Sequence, residues 1–161
     1  MPRHGLLAID PGPIESAYAI IWPDGTISGH GKVSNANMLS IVQQQSGSAE
    51  YPVHIVCEMI ASYGMPVGVE VFETCVWIGR FMQATGITVG FSRLYRKDIK
   101  SHLCHSMKAN DAAIRCALID RYGSGKDKAI GTKKNPGPLY GIKADVWAAL
   151  AVAVTWKDLN P

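Results

Sequence analysis

Long hydrophobic runs are missing from this chain: the most apolar stretches, Leu6 to Ile9, Ala17 to Trp22 and Ala148 to Val154, fall far short of the roughly 20 residues a membrane span requires. The N-terminal Met-Pro-Arg-His has neither the apolar core nor the small-residue cleavage site of a secretory signal, which predicts a cytoplasmic protein. Cysteines are few. The four of them, Cys57, Cys75, Cys104 and Cys116, form no CxxC pair and no disulfide framework, and three lie in apolar periodic segments, so reduced core thiols are expected. His102-Leu103-Cys104-His105 offers soft ligands, but no second pair stands at zinc-finger spacing. No internal repeat is present. A glycine-rich nucleotide motif is missing too, and 161 residues hold no second copy of the half that actin-like ATPases and sugar kinases need to enclose a nucleotide.

What is present is enough apolar material for a substantial core, 47% of the residues, in a chain of ordinary single-domain length, so one domain over residues 1–161 is expected. The net charge of +3 is small but unevenly placed. Residues 1–92 carry three basic residues against seven acids, whereas residues 93–161 carry thirteen against six. The basic half suits a polyanion and the acidic half holds carboxylates that could bind a divalent cation, although a solvated lysine surface explains the same asymmetry.

Apolar runs and breakers predict the elements. Residues 5–10 and 17–22 read as strands flanking the Pro11-Gly12-Pro13 break, and Pro23-Asp24-Gly25 turns the chain into a third strand, 26–33, whose Gly29 and Gly31 suggest a weak or bulged edge. Asn35 is positioned to cap a helix running to about residue 45. A buried-type strand follows at 53–58, a broken loop at 61–68, and a helix at 69–85 in which Val69, Phe72, Val76, Ile78, Gly79 and Met82 recur at near-helical spacing and are expected to face the sheet. A fifth strand at 87–94 precedes helices at 96–104 and 110–122, the second capped by Asn110. The segment SGKDKAIGTKKNPGPLYG, 124–141, has no periodicity and reads as a mobile surface loop before an apolar helix at 144–156. Three adjacent strands followed by alternating helices and strands describe a mixed α/β sheet.

Three acids stand out. Asp10 ends the first interior strand just before a turn, and Glu58 ends the fourth. An ionised carboxylate there needs a cation, a hydrogen-bond partner or water, because an unpaired charge in an apolar interior is costly. If the two strands are neighbours, the carboxylates converge at about the 4.8 Å strand spacing, an arrangement that Mg²⁺ relieves. Asp145 opens an otherwise apolar helix, where the helix dipole alone would also favour an acid.

Taken together, Leu7-Ala8-Ile9-Asp10-Pro11-Gly12, Ile55-Val56-Cys57-Glu58, and Asp145 ahead of Ala149-Leu150-Ala151-Val152-Ala153-Val154-Thr155 resemble the RuvC-type Holliday junction resolvases over almost the whole chain. The resemblance implies an RNase H-like fold, a five-stranded mixed sheet in the order 3-2-1-4-5 flanked by helices. It also implies a homodimer that cuts four-way DNA junctions with two Mg²⁺ ions, replaceable by Mn²⁺, held by Asp10, Glu58 and Asp145. It implies a further acid three residues after Asp145, where this chain has Ala148. Asp111 is a substitute candidate, with His4 and Glu15 behind it. The loop after Glu58 is where similar enzymes touch the branch point, which makes Tyr63 and Met65 candidates for wedging against a base. Phosphate contacts are expected from Lys97, Lys100, Lys108, Lys126, Lys128, Lys133, Lys134 and Lys143, and the dimer face from Phe72, Val76 and Phe81 on the 69–85 helix. A branched-DNA-binding module that does not cut and a nuclease acting on flaps or forks are the competing readings.

Overall fold

The computed structural model describes residues 5–48, 53–86 and 89–161. The sheet contains β1 (Gly5–Asp10), β2 (Glu15–Ile21), β3 (Ile27–Ser34), β4 (Val53–Met59) and β5 (Phe91–Tyr95), in the order β3-β2-β1-β4-β5. β1, β2 and β3 form the antiparallel half, and β1, β4 and β5 run parallel, as the strand pattern predicts. The expected irregularity at the edge is present: pairing slips between Ile20 and Ile21, which face Gly29 and Ile27.

Side chains alternate across the sheet, so each strand feeds two apolar layers. Leu7, Ile9, Ile55 and Cys57 point toward α1 (Asn35–Ser46) and α2 (Val69–Ala84), where they meet Met38, Val42, Ile78 and Phe81. Leu6, Ala8 and Val56 point to the opposite layer, built on α6 (Val146–Leu159) with α3 (Arg96–Cys104) and α4 (Asp111–Tyr122). α6 is apolar nearly all round because it is enclosed, with every residue from Ala149 to Thr155 buried. No helix among the described residues is long and apolar enough to cross a membrane.

Several local expectations change. Ser34, rather than Asn35, caps α1, its hydroxyl accepting from the Asn37 N–H at 3.2 Å. Asn35 is instead the first helical residue and is buried. α2 is rotated relative to the predicted face: Thr74, Ile78 and Phe81 face inward, while Val69, Phe72, Val76 and Met82 are exposed. Hydrophobic spacing on a helix that is apolar over most of its circumference does not decide which stripe is buried. Phe81 is therefore core, which removes it from the expected dimer face, whereas Phe72 and Val76 remain outward. β5 begins at Phe91, and the first residues of its predicted range, Ile87 and Thr88, lie outside the described residues, as does His4.

The basic 124–141 segment is not a structureless loop. It contains the short helix α5 (Lys126–Ala129) and a bridge between Gly131 and Pro136, and it is anchored by fully buried Ala129 and Leu139. Gly137 permits this close packing, since a Cβ there would lie 2.4 Å from the Lys128 carbonyl oxygen. Of the cysteines only Cys57 is a core thiol; Cys75 and Cys104 are half-buried and Cys116 is exposed, all unpaired. His102 does not serve a metal cluster: its Nε2 pairs with Asp158 at 2.7 Å, and Arg121 joins the same carboxylate, tying α3, α4 and α6 together.

Candidate metal centre

The site follows from strand register. Ile9 pairs with Cys57 on parallel neighbours, so Asp10 and Glu58 are the next residues at the carboxyl ends of β1 and β4. By alternation both point to the α6 side, the side of Ala8 and Val56. Asp145, the N-cap residue of α6, comes over that same edge without capping its own helix through its side chain. One open cleft is lined by Asp10, Glu58, Asp111 and Asp145 together with Arg96, Arg115, Trp147 and Ala148. Such an edge, outside the carboxyl ends of parallel strands, is where open α/β sheets place ligands.

A buried hydrogen-bond network shapes the turn that exposes Asp10. Ser16 donates through Oγ to Asn35 Oδ1 at 2.6 Å, and Asn35 Nδ2 donates to the Gly12 carbonyl at 2.9 Å. The Gly12 N–H in turn donates to Ser16 Oγ at 3.3 Å. Gly12 cannot carry a side chain there, because a Cβ would stand 2.4 Å from the Glu15 carbonyl oxygen. Immediately before Asp145, Ala144 takes a left-handed φ of 50°, a conformation disfavoured for a residue with a Cβ. It sets the entry of the chain into α6.

The electrostatics mark a site short of positive charge. Burial, then repulsion from Glu58 and Asp145, pushes the Asp10 pKa up from 3.8 to about 7, against the opposing pull of Arg96 and Lys32. Burial also raises Glu58 above the ordinary carboxylate range despite its guanidinium partner. Two cations attend the outer carboxylates. Lys32 on β3 donates to Asp145 Oδ2 at 2.6 Å and stands 4.0 Å from Glu15. Arg96, the first residue of α3, reaches Glu58 Oε2 at 3.4 Å through one terminal nitrogen and Asp111 Oδ1 through the other.

The donor set suits a hard divalent cation. Every potential ligand lining the cleft is a carboxylate, and burial, reinforced by repulsion from Glu58 and Asp145, raises the innermost of them. In the arrangement seen, no group of three His, Cys, Asp or Glu side chains among the described residues stands close enough to grip one ion, and Arg96 and Lys32 engage Glu58 and Asp145.

The other expected contacts sort by distance from this centre. Tyr63, Lys97 and Lys100 line an adjoining cleft that shares Glu58 and Arg96 and also includes Met59 and Met107. Met65 is exposed on the same loop, in which Tyr63 takes a left-handed φ of 51°. Lys108, Lys126, Lys128, Lys133, Lys134 and Lys143 are exposed but line neither cleft. Sequence reasoning missed Arg96, Lys32, Asn35 and Ser16. For Arg96 a signal existed, since it follows the strand paired with β4, where a side chain emerges beside Glu58.

No protein-family model matches the chain, and no curated protein matches its sequence. Solved structures do match its shape. RuvC from Thermus thermophilus superimposes with a TM-score of 0.65, covering 94% of this chain and 92% of that one at 14% identity. The same protein in complex with a Holliday junction substrate gives 0.68 at the same coverage and identity. The chain thus has the RNase H-like fold of RuvC, with the five strands in the order 3-2-1-4-5.

Proposed function

We propose that this chain is a divalent-metal-dependent endodeoxyribonuclease that resolves four-way DNA junctions, acting as a homodimer of one nuclease domain spanning residues 1–161. The observation that carries the reading is the convergence of Asp10, Glu58 and Asp145 on one cleft at the carboxyl edge of an RNase H-like sheet. The RuvC neighbour bound to a Holliday junction supports the choice of substrate.

Asp10 and Glu58 would hold Mg²⁺ or Mn²⁺ from the sheet and Asp145 from α6. A bound ion of this kind lowers the pKa of water and neutralises charge on a phosphodiester. The chemistry is hydrolysis: a water oxygen bonds to phosphorus as the P–O3′ bond breaks, leaving a 5′-phosphate and a 3′-hydroxyl that takes a proton. The protein's part is to fix the carboxylates, which the Ser16–Asn35–Gly12 network does for Asp10. Tyr63, which lines the adjoining cleft, and Met65, exposed on the same loop, would meet an unstacked base, and Lys97 and Lys100 the adjacent phosphates. Lys108, Lys126, Lys128, Lys133, Lys134 and Lys143 extend the basic surface outward, and Phe72 and Val76 on α2 give the second copy an apolar face.

Incubation with a synthetic four-way junction tests the reading. Paired nicks are expected in Mg²⁺, none in EDTA, and none from Asp10→Asn, which should still bind the junction. Ala148, in place of an acid, favours a second reading, a module that binds branched DNA without cutting it. Binding without nicking after Mg²⁺ addition would select that module, and nicking confined to flaps or forks would change the substrate.

A further inference from the structure

We infer that Arg96 takes the place of one of two divalent ions, so that the site works with a single ion and the Arg96 guanidinium meets the scissile phosphate directly. This rests on the nuclease reading above. Three observations carry it.

The first is position. β5 pairs with β4 in parallel, Tyr95 lying opposite Met59, so Arg96 emerges at the sheet edge next to Glu58 and its side chain lines the same cleft as Asp10 and Asp145. The second is its partners. The guanidinium spans Glu58 and Asp111 as a cation would, but its 3.4 Å contact with Glu58 is a long one, near the limit of a hydrogen bond. Asp111, at the start of α4, is largely exposed and acts as the positioning residue that holds the guanidinium toward the cleft. Five N–H donors in a planar fork leave spare donors for a phosphate oxygen, a geometry that lysine does not reproduce.

The third is the ligand and charge count. α6 presents Ala148 to the cleft, a methyl group that coordinates nothing. The lining holds four carboxylates, Asp10, Glu58, Asp111 and Asp145, against two cations, Arg96 and Arg115. One divalent ion neutralises that set. A second ion would leave +2, with Glu58 and Asp111 already engaged by Arg96 and Asp145 by Lys32.

Mn²⁺ titration of the DNA-free chain, followed by electron paramagnetic resonance of the free ion, decides the matter without reference to activity. The wild-type chain should take up one Mn²⁺, and Ala148→Asp, which supplies the absent carboxylate, should take up two. Arg96→Met should keep one Mn²⁺ while slowing junction cleavage by about 10²- to 10³-fold, the usual cost of removing a donor aimed at developing charge. Should Ala148→Asp fail to fold, the Mg²⁺ dependence of the wild-type single-turnover rate serves instead, with an order of one expected. Two Mn²⁺ ions per wild-type chain, a reaction order of two, or an Ala148→Asp chain that folds yet stays at one ion would overturn the inference and leave the nuclease reading standing. Loss of Mn²⁺ from Arg96→Met would also overturn it, by making Arg96 a structural support. No Mn²⁺ uptake by the wild-type chain would remove the nuclease reading itself.

Discussion

Asp10→Asn should make the metal-free protein more stable while destroying its ability to gain stability from Mn²⁺. In the folded chain the Asp10 pKa stands at about 7 against 3.8 in the reference state, because burial and then Glu58 and Asp145 disfavour its charge. That difference corresponds to roughly 4 kcal/mol of folding stability forfeited when Asp10 is forced to ionise, an upper bound for the gain on substitution. The sign follows from the raised folded value. The proton favours the folded state, so wild-type stability from this group is fully present below about pH 4 and is lost as pH climbs through about 7. In EDTA at pH 8 the variant should therefore melt higher, by an amount on the order of 10 °C for a domain of this size, and the gap should close near pH 4. Adding Mn²⁺ at about 100 times its dissociation constant should raise the wild type by roughly 2.7 kcal/mol and leave the variant unchanged. Differential scanning fluorimetry across pH, with and without Mn²⁺, reads all of this. A variant that melts lower than wild type at pH 8 in EDTA would refute the reasoning, since the carboxylate would then be a stabilising partner and not a charge awaiting a cation.

Three further outcomes follow from other parts of the molecule. Asn35→Ala removes the bridge between Ser16 and the Gly12 carbonyl and should cost about 1–3 kcal/mol in urea denaturation, while weakening Mn²⁺ uptake because the turn after Asp10 loosens. Lys133→Ala with Lys134→Ala should lower the slope of log junction affinity against log salt by about 0.9 for each phosphate these lysines neutralise; an unchanged slope in fluorescence anisotropy would take this segment out of the interface. Phe72→Asp with Val76→Asp places charge on the exposed face of α2 and should convert the proposed dimer to a monomer in sedimentation velocity with little change in melting temperature, since neither side chain is in the core.

The strands were legible because apolar runs ending in an acid, Leu6 to Asp10 and Val53 to Glu58, carry both the burial signal and the exit point. Once the crossover makes those strands parallel neighbours, the meeting of Asp10 and Glu58 is a matter of register. Asp145 was legible as the single acid leading into a helix otherwise too apolar to lie on a surface. The face of α2 was not, because Val69, Phe72, Val76 and Met82 are as hydrophobic as the residues that pack inward, and spacing cannot choose between two apolar stripes. Residues 124–141 misled for the opposite reason: glycines and prolines suggest freedom, yet Leu139 and Ala129 anchor the segment through tertiary packing that no local pattern encodes. The ion pairs of Lys32 with Asp145 and Arg96 with Asp111 join residues far apart in the chain or on separate helices, so nothing at either position announces the other.

Anomalous diffraction from a crystal soaked in Mn²⁺ reports the centre directly. Density for an ion contacted by Asp10, Glu58 and Asp145 is the predicted result. Density confined to other carboxylates, or none in the cleft at saturating Mn²⁺, would contradict the assignment of these three residues as one metal centre.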